Sequence, residues 1–181
     1  MNVRPAAPIL LVDDSPANLL ALEAVLQVLG EPLVRASSGQ EALRQLRDTD
    51  FAAVLLDVRM PGMDGFETAR LIRAQRRSRR TPLIFVTADA SDLSVEEAYA
   101  MGAVDFLTKP VEVPALLEAV AHGVARSRER VAGRARQRQV GQRYQRLTPR
   151  EREGVRHALS GQLDKPSAFD LGTAGATRTA H

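Results

Sequence analysis

The chain has 181 residues, 44% of them hydrophobic, which suits one domain of roughly 100 to 150 residues with a short appendage and not two large domains. It has no Cys or Trp and only 4% aromatic residues, which excludes disulfides, thiolate metal sites and cysteine nucleophiles and disfavours a broad base-stacking platform. The net charge of +3 is unevenly divided: residues 1–125 carry 12 Lys/Arg against 17 Asp/Glu, a net of −5, whereas residues 126–156 carry 11 Arg against Glu129, Glu151 and Glu153, a net of +8. Such a break marks a linker or an electrostatic contact surface.

Five short apolar runs, Ile9 to Val12, Pro32 to Ala36, Ala52 to Leu56, Leu83 to Val86 and Val104 to Leu107, have the length of strands. Between them Leu19, Leu22, Val25, Leu26 and Leu29 recur at helical spacing, as do Ala42, Leu43 and Leu46, then Phe66, Ala69 and Ile72. Ser15 followed by Pro16 reads as an N-cap with proline at the first helical position, Asp64 as the cap of the third helix, and Gly30 as the stop of the first. Strand and helix in alternation predict an α/β fold, a doubly wound five-stranded parallel sheet with its second and fifth strands at the edges. Continuous apolar runs such as Ala53-Val54-Leu55-Leu56 fit strands covered on both faces. After about residue 125 the pattern loosens into an Arg-rich stretch, read either as a charged helix or as a linker, with Gly133 and Gly141 each costing a helix up to ~1 kcal/mol. The arginines at 70, 73, 76, 77, 79 and 80 read as a solvated helix end. The N-terminal dozen residues lack a signal-peptide pattern, and no run approaches the ~18 apolar residues of a membrane span, so a soluble cytoplasmic protein is expected.

Polar residues follow the apolar runs directly: Asp13 and Asp14 the first, Asp57 the third, Thr87 the fourth, and Thr108-Lys109-Pro110 the fifth. In an open α/β sheet the C-terminal strand edge is where a ligand crevice forms, so these residues are expected to converge. Three carboxylates raise one another's pKa unless a counter-charge intervenes. Oxygen-only ligands suit Mg2+, with Lys109 as a second positive group for a phosphoryl, Thr87 as a neutral donor and an Asp as nucleophile. The histidines at 122, 157 and 181 show no metal-ligand spacing.

These motifs, Ile9-Leu10-Leu11-Val12-Asp13-Asp14, Leu55-Leu56-Asp57-Val58-Arg59-Met60-Pro61-Gly62-Met63-Asp64-Gly65, Val86-Thr87-Ala88, Gly102-Ala103 and Lys109-Pro110, resemble the response-regulator receiver domain of two-component signalling, from about Pro8 to about Gly123. The resemblance implies a flavodoxin-like strand order 2-1-3-4-5 and a phosphoacceptor at Asp57, supplied by a sensor histidine kinase or phosphotransfer protein. It implies magnesium held by Asp14, Asp57 and the backbone carbonyl of Arg59, with Asp13 acting through water, and phosphoryl contacts from Thr87 and Lys109. Thr87 and Phe106 would form the switch that remodels the surface around the helix after the fourth strand, the fifth strand and the helix after it. That surface is where a phosphorylation-dependent homodimer is expected. Arg59 and Asp89 are expected to face each other at the pocket rim and modulate phosphate lifetime. The chain is thus expected to be a signalling domain with only magnesium-dependent self-phosphorylation and slow self-dephosphorylation. A phosphohydrolase with an Asp nucleophile would expect a second Asp where Arg59 stands.

Residues 1–125 are read as the receiver, 126–146 as an extension or linker, and 147–181 as an incomplete segment. Leu147-Thr148-Pro149-Arg150-Glu151-Arg152-Glu153 resembles the opening of a LuxR-type helix-turn-helix, with Thr148 as cap. The remaining length is about half of what that domain needs, and Gly154, Pro166, Ser167 and Arg178 stand where its packed helices are expected. A poorly folded remnant is expected. The main functional expectation is regulation of an output protein; the alternative is transcriptional regulation through DNA binding by this segment.

Overall fold

The computed structural model describes residues 7–88, 100 and 102–159. The chain divides into two units, Met1–Arg134 and Ala135–His181. In the first, β1 (Ile9–Val12), β2 (Leu33–Ala36), β3 (Ala53–Asp57), β4 (Leu83–Thr87) and β5 (Ala103–Thr108) form one sheet in the order β2-β1-β3-β4-β5, every pair parallel. This is the expected doubly wound topology, with β2 and β5 at its edges. The expected helix between the fourth and fifth strands falls outside the described residues, as does Asp89.

Local chemistry accounts for the helix starts. At α1 (Pro16–Leu26) Ser15 Oγ accepts from Asn18 N at 3.4 Å and Pro16 opens the helix, as its fixed φ and missing N–H favour. A 3-10 turn, Gln27–Leu29, then ends at Gly30, whose φ of +68° is the left-handed stop that glycine adopts without penalty. Ser38 caps α2 (Gly39–Asp48) through Glu41 N, and Asp64 caps α3 (Gly65–Ala74) through Glu67 N at 2.7 Å.

The sheet separates two apolar layers because its side chains alternate between faces. Leu10, Val12, Val54, Leu56 and Phe85 pack with Leu43, Leu46, Ala69 and Ile72 of α2 and α3. Ile9, Leu11, Leu55 and Ile84 pack with Leu19 and Leu26 of α1 and with Leu116, Ala119, Val120 and Val124. These last four belong to α4 (Val113–Arg146), whose final buried residue is Ser127. Each large apolar side chain taken out of water contributes about 1.5 to 3 kcal/mol, which anchors the strand ends that carry the polar residues.

Of the two readings of the Arg-rich stretch, the structure takes the helical one: α4 continues through Gly133 and Gly141. One feature departs from the sequence reading: Arg73 is not part of a solvated helix end. It is half-buried and donates to the carbonyls of Thr81 at 2.8 Å, Arg79 at 3.3 Å and Gly102 at 2.7 Å, tying α3 to the strands beside it. Burial, with the charge of Arg130, holds its guanidinium below the usual arginine range.

In the second unit Thr148 and Glu151 form a reciprocal capping box at the start of α5 (Pro149–Leu159): Thr148 N donates to Glu151 Oε2 at 2.8 Å and Glu151 N to Thr148 Oγ1 at 3.3 Å. Arg152 lies over the Tyr144 ring, 6.0 Å from its centroid, and donates to the carbonyls of Gln145 and Leu147. Residues 160–181, which hold most of the expected remnant, lie outside the described residues. None of the described helices is long and apolar enough to cross a membrane.

Candidate functional site

Parallel pairing puts all strand C-termini at one edge, and the register brings their polar ends level. Val12 pairs with Leu56, Asp57 with Val86, and Thr87 with Thr108, so Asp13, Asp57, Thr87 and Lys109 end up side by side although separated in sequence. The main chain stitches them: Val58 N donates to Val86 O at 3.0 Å and Lys109 N to Thr87 O at 2.6 Å. The peptide between Lys109 and Pro110 is cis.

Asp13 is buried and held on every side. Its Oδ1 accepts from Ser15 N at 2.8 Å, both oxygens accept from Asn18 Nδ2 at 3.0 Å, and Oδ2 accepts from Lys109 Nζ at 3.1 Å. Lys109 also donates to Asp57 Oδ1 at 3.0 Å, bridging the two carboxylates. Asp14, next in the chain, is exposed at the mouth. Carboxylate oxygens of Asp13, Asp14 and Asp57 all lie within 4.8 Å of one another.

Electrostatics follow from this crowding. Burial pushes the Asp57 carboxyl above the usual aspartate range, and the charges of Asp13 and Asp14 add to the rise, while the hydrogen bond and charge of Lys109 pull the other way. Burial disfavours the Lys109 ammonium, but the hydrogen bonds and charges of Asp57 and Asp13 outweigh it, and its pKa stands above the usual lysine range. A buried carboxylate with one cation beside it and further carboxylates around it attracts a second cation.

An open cleft of about 540 Å³ leads to this cluster, lined by Asp14, Val58, Arg59, Met60, Pro61, Asp64 and Phe66. Between two of these residues, Asp64 and Phe66, the chain needs a glycine. A Cβ on Gly65 would stand 2.3 Å from the Asp57 carbonyl oxygen and 2.8 Å from Val58 Cα, so only glycine lets α3 start against the end of β3. In the Met60-Pro61-Gly62-Met63 turn Met63 N donates to Pro61 O at 3.0 Å, with Gly62 at φ +79°.

Among the residues expected from sequence, Asp13, Asp14, Asp57 and Lys109 gather at one point, and Arg59 lines the same cleft. Thr87 is wholly buried at the adjoining strand end, and Phe106 is partly buried against the α2/α3 layer on β5. Asn18 was missed by the sequence reading. The available signal was its place in the first turn of a helix that begins directly after the acidic pair, which turns the side chain back toward Asp13.

Residues 9–121 match the model of the response regulator receiver domain family, and the chain belongs to that family. It is 37% identical over 127 residues to the transcriptional regulatory protein ZraR of Salmonella typhimurium, covering 70% of this chain and 28% of that protein. It is 28% identical over 176 residues to the response regulator protein TodT of Pseudomonas putida, covering 97% of this chain and 77% of that one. Among solved structures, the receiver domain of sensor histidine kinase PA1611 from Pseudomonas aeruginosa PAO1, with a magnesium ion coordinated in its active-site cleft, is similar at a TM-score of 0.60 and 34% identity, over 66% of this chain and 98% of that one.

Proposed function

We propose that the chain is a phosphorelay receiver that accepts a phosphoryl group on Asp57 from the phosphohistidine of a sensor histidine kinase or phosphotransfer protein. The observation that carries this reading is the bridge from Lys109 to Asp13 and Asp57 inside a cluster of three carboxylates. In the transfer a carboxylate oxygen of Asp57 forms a bond to phosphorus as the phosphorus–nitrogen bond of the donor breaks, and the imidazole leaves with the electron pair. Lys109 Nζ is positioned to contact the phosphoryl oxygens, and the Thr87 hydroxyl to donate to them once it turns inward. Phe106 is the aromatic group that would respond on β5.

The hard, oxygen-only donor set fits Mg2+, with Asp14, Asp57 and the Arg59 carbonyl as holders; when bound it supplies positive charge for the developing phosphoryl. Asp13, already held by Ser15, Asn18 and Lys109, is suited to act through water. Arg59 with Asp89 would modulate access of water at the rim. Self-phosphorylation and slow self-dephosphorylation are the only reactions expected. The setting is the cytoplasm, and the output is regulation of a partner, with a homodimer through β5 and its neighbouring helices as one form; size exclusion with and without beryllofluoride tests that dimer.

The first test is intact mass after acetyl phosphate or phosphoramidate with magnesium. A single addition is expected in the wild type and none in Asp57→Ala; an equal addition in the variant, or none in folded wild type, overturns the proposal. A second reading, transcriptional regulation through residues 147–181, is favoured by the Thr148–Glu151 capping box that starts α5 where a helix-turn-helix would begin.

A further inference from the structure

The edge of the sheet opposite the acidic cluster carries the reverse charge. At Gly123, where a Cβ would meet Ala53, Pro82 and Ile84 at 3.4 to 3.6 Å, α4 passes the N-terminal ends of β3 and β4. Beyond it, Arg126, Arg130 and Arg134 recur every four residues and so share one side of the helix, about 6 Å apart along its axis. Arg130, the middle one, is half-buried; it donates to the carbonyl of Arg80, in the turn before β4, and to Ser127 Oγ at 3.3 Å. The guanidinium charges of Arg80, Arg126 and Arg134 all act on that of Arg130 at this edge, and the half-buried Arg73 guanidinium is close enough to feel it as well. Burial and the charges of Arg134, Arg80 and Arg126 lower the pKa of Arg130. The nearby carboxylates of Glu31 and Asp50 are engaged by Arg128 and Arg77, and Glu129 is exposed beside Arg130 on the helix.

Like charges four residues apart destabilise a helix, so this arrangement is relieved when an anion of matching extent lies along it. We propose that Arg80, Arg126, Arg130 and Arg134 form a docking surface for the phosphodiester backbone of duplex DNA, independent of base sequence and outside the C-terminal segment. Guanidinium forks bind phosphate oxygens in pairs, and phosphates spaced about 3.4 Å along each strand present several acceptors to a stripe of this length. Residues 126–146 contain one aromatic side chain, Tyr144, so they offer no stacking platform for single strands. The exposed apolar residues there, Val131, Val140 and Tyr144, do not make the continuous apolar face that a helix lying on a membrane needs. The surface does not rest on the phosphoacceptor reading.

Fluorescence anisotropy of the full chain with two unrelated labelled duplexes, titrated with salt from about 50 to 200 mM, tests it. Replacing Arg126, Arg130 and Arg134 with Gln is expected to weaken both duplexes alike, by at least about tenfold, and to reduce the log–log salt slope by about 2.7. The same three positions changed to Lys should retain the slope. Phosphoryl uptake at Asp57 by intact mass and the thermal midpoint report whether the Gln variant is folded; should it not fold, Arg80→Gln alone is expected to reduce the slope by about 0.9. An unchanged slope in the folded Gln variant overturns the proposal. So does a loss found only when Arg150, Arg152 and Arg156 are changed, or equally tight binding to a polyglutamate peptide or a single strand.

Discussion

Gly65 shows how a single position holds the end of β3, and with it Asp57, in place. Its amide donates to Val58 O at 2.9 Å, and both atoms that a Cβ would strike belong to the backbone of Asp57 and Val58. A flexible side chain could swing away, but this backbone sits in the central sheet. Gly65→Ala is therefore expected to destabilise the protein by about 1 to 3 kcal/mol, as overpacking does. That is opposite in sign to the gain of up to ~1 kcal/mol that the exchange brings inside an unobstructed helix. Urea unfolding reads the difference, and a midpoint at or above the wild-type value would show that α3 can withdraw from Asp57 without cost.

The helix starts make a separate prediction, because one of them contains an exposed carboxylate whose ionisation is tied to folding. Glu41 Oε2 accepts from both the amide and the hydroxyl of Ser37 at 2.7 Å, while Glu41 N donates to Ser38 Oγ. The Ser37 amide, then its hydroxyl, hold the Glu41 carboxyl below the usual glutamate range. A pKa lowered on folding contributes stability that is present above the unfolded value, about 4.3, and lost as the pH falls through the folded value. Wild type is thus expected to exceed Glu41→Gln in stability at pH 7, with the gap closing at acid pH. Thermal midpoints across pH 3 to 7 check this, and a gap independent of pH would remove the ionic part of the cap. The same elements show what a sequence makes visible. Runs such as Ile9 to Val12, and caps at Ser15 and Asp64, are local patterns and stand where they were expected. The carboxylates and Lys109 were legible because each directly follows such a run. Arg73 was not, since its carbonyl partners, as far as Gly102, are fixed by tertiary packing, whereas Asn18 was overlooked although its partner Asp13 stands only five residues back. The Arg-rich stretch could be read as helix or as linker because Gly133 and Gly141 weaken a helix locally, and α4 nonetheless runs through both.

At the scale of the first unit, the sheet separates two sites of opposite charge. From Ala53 to Asp57 the chain takes four extended steps, about 13 Å, which exceeds the ~8 Å over which physiological salt screens exposed charges. The acidic and basic edges should then respond to their ligands independently unless the fold itself rearranges. The acidic edge is the more strained, since three carboxylates share the charge of Lys109. A divalent cation that binds only the folded cluster adds RT ln(1 + [L]/Kd), about 2.7 kcal/mol at a hundredfold excess over Kd. Magnesium is therefore expected to raise the thermal midpoint of the wild type. It should do so by the same increment when Arg126, Arg130 and Arg134 are Gln, because distant sites add. Asp14→Asn should remove most of the increment while raising the metal-free midpoint, since it takes away a charge that repels its neighbours. Differential scanning calorimetry with magnesium and with a chelator separates these outcomes. An undiminished increment in Asp14→Asn would locate the cation away from the cluster, and a changed increment in the arginine variant would show that the two edges are coupled through the fold and not through their fields.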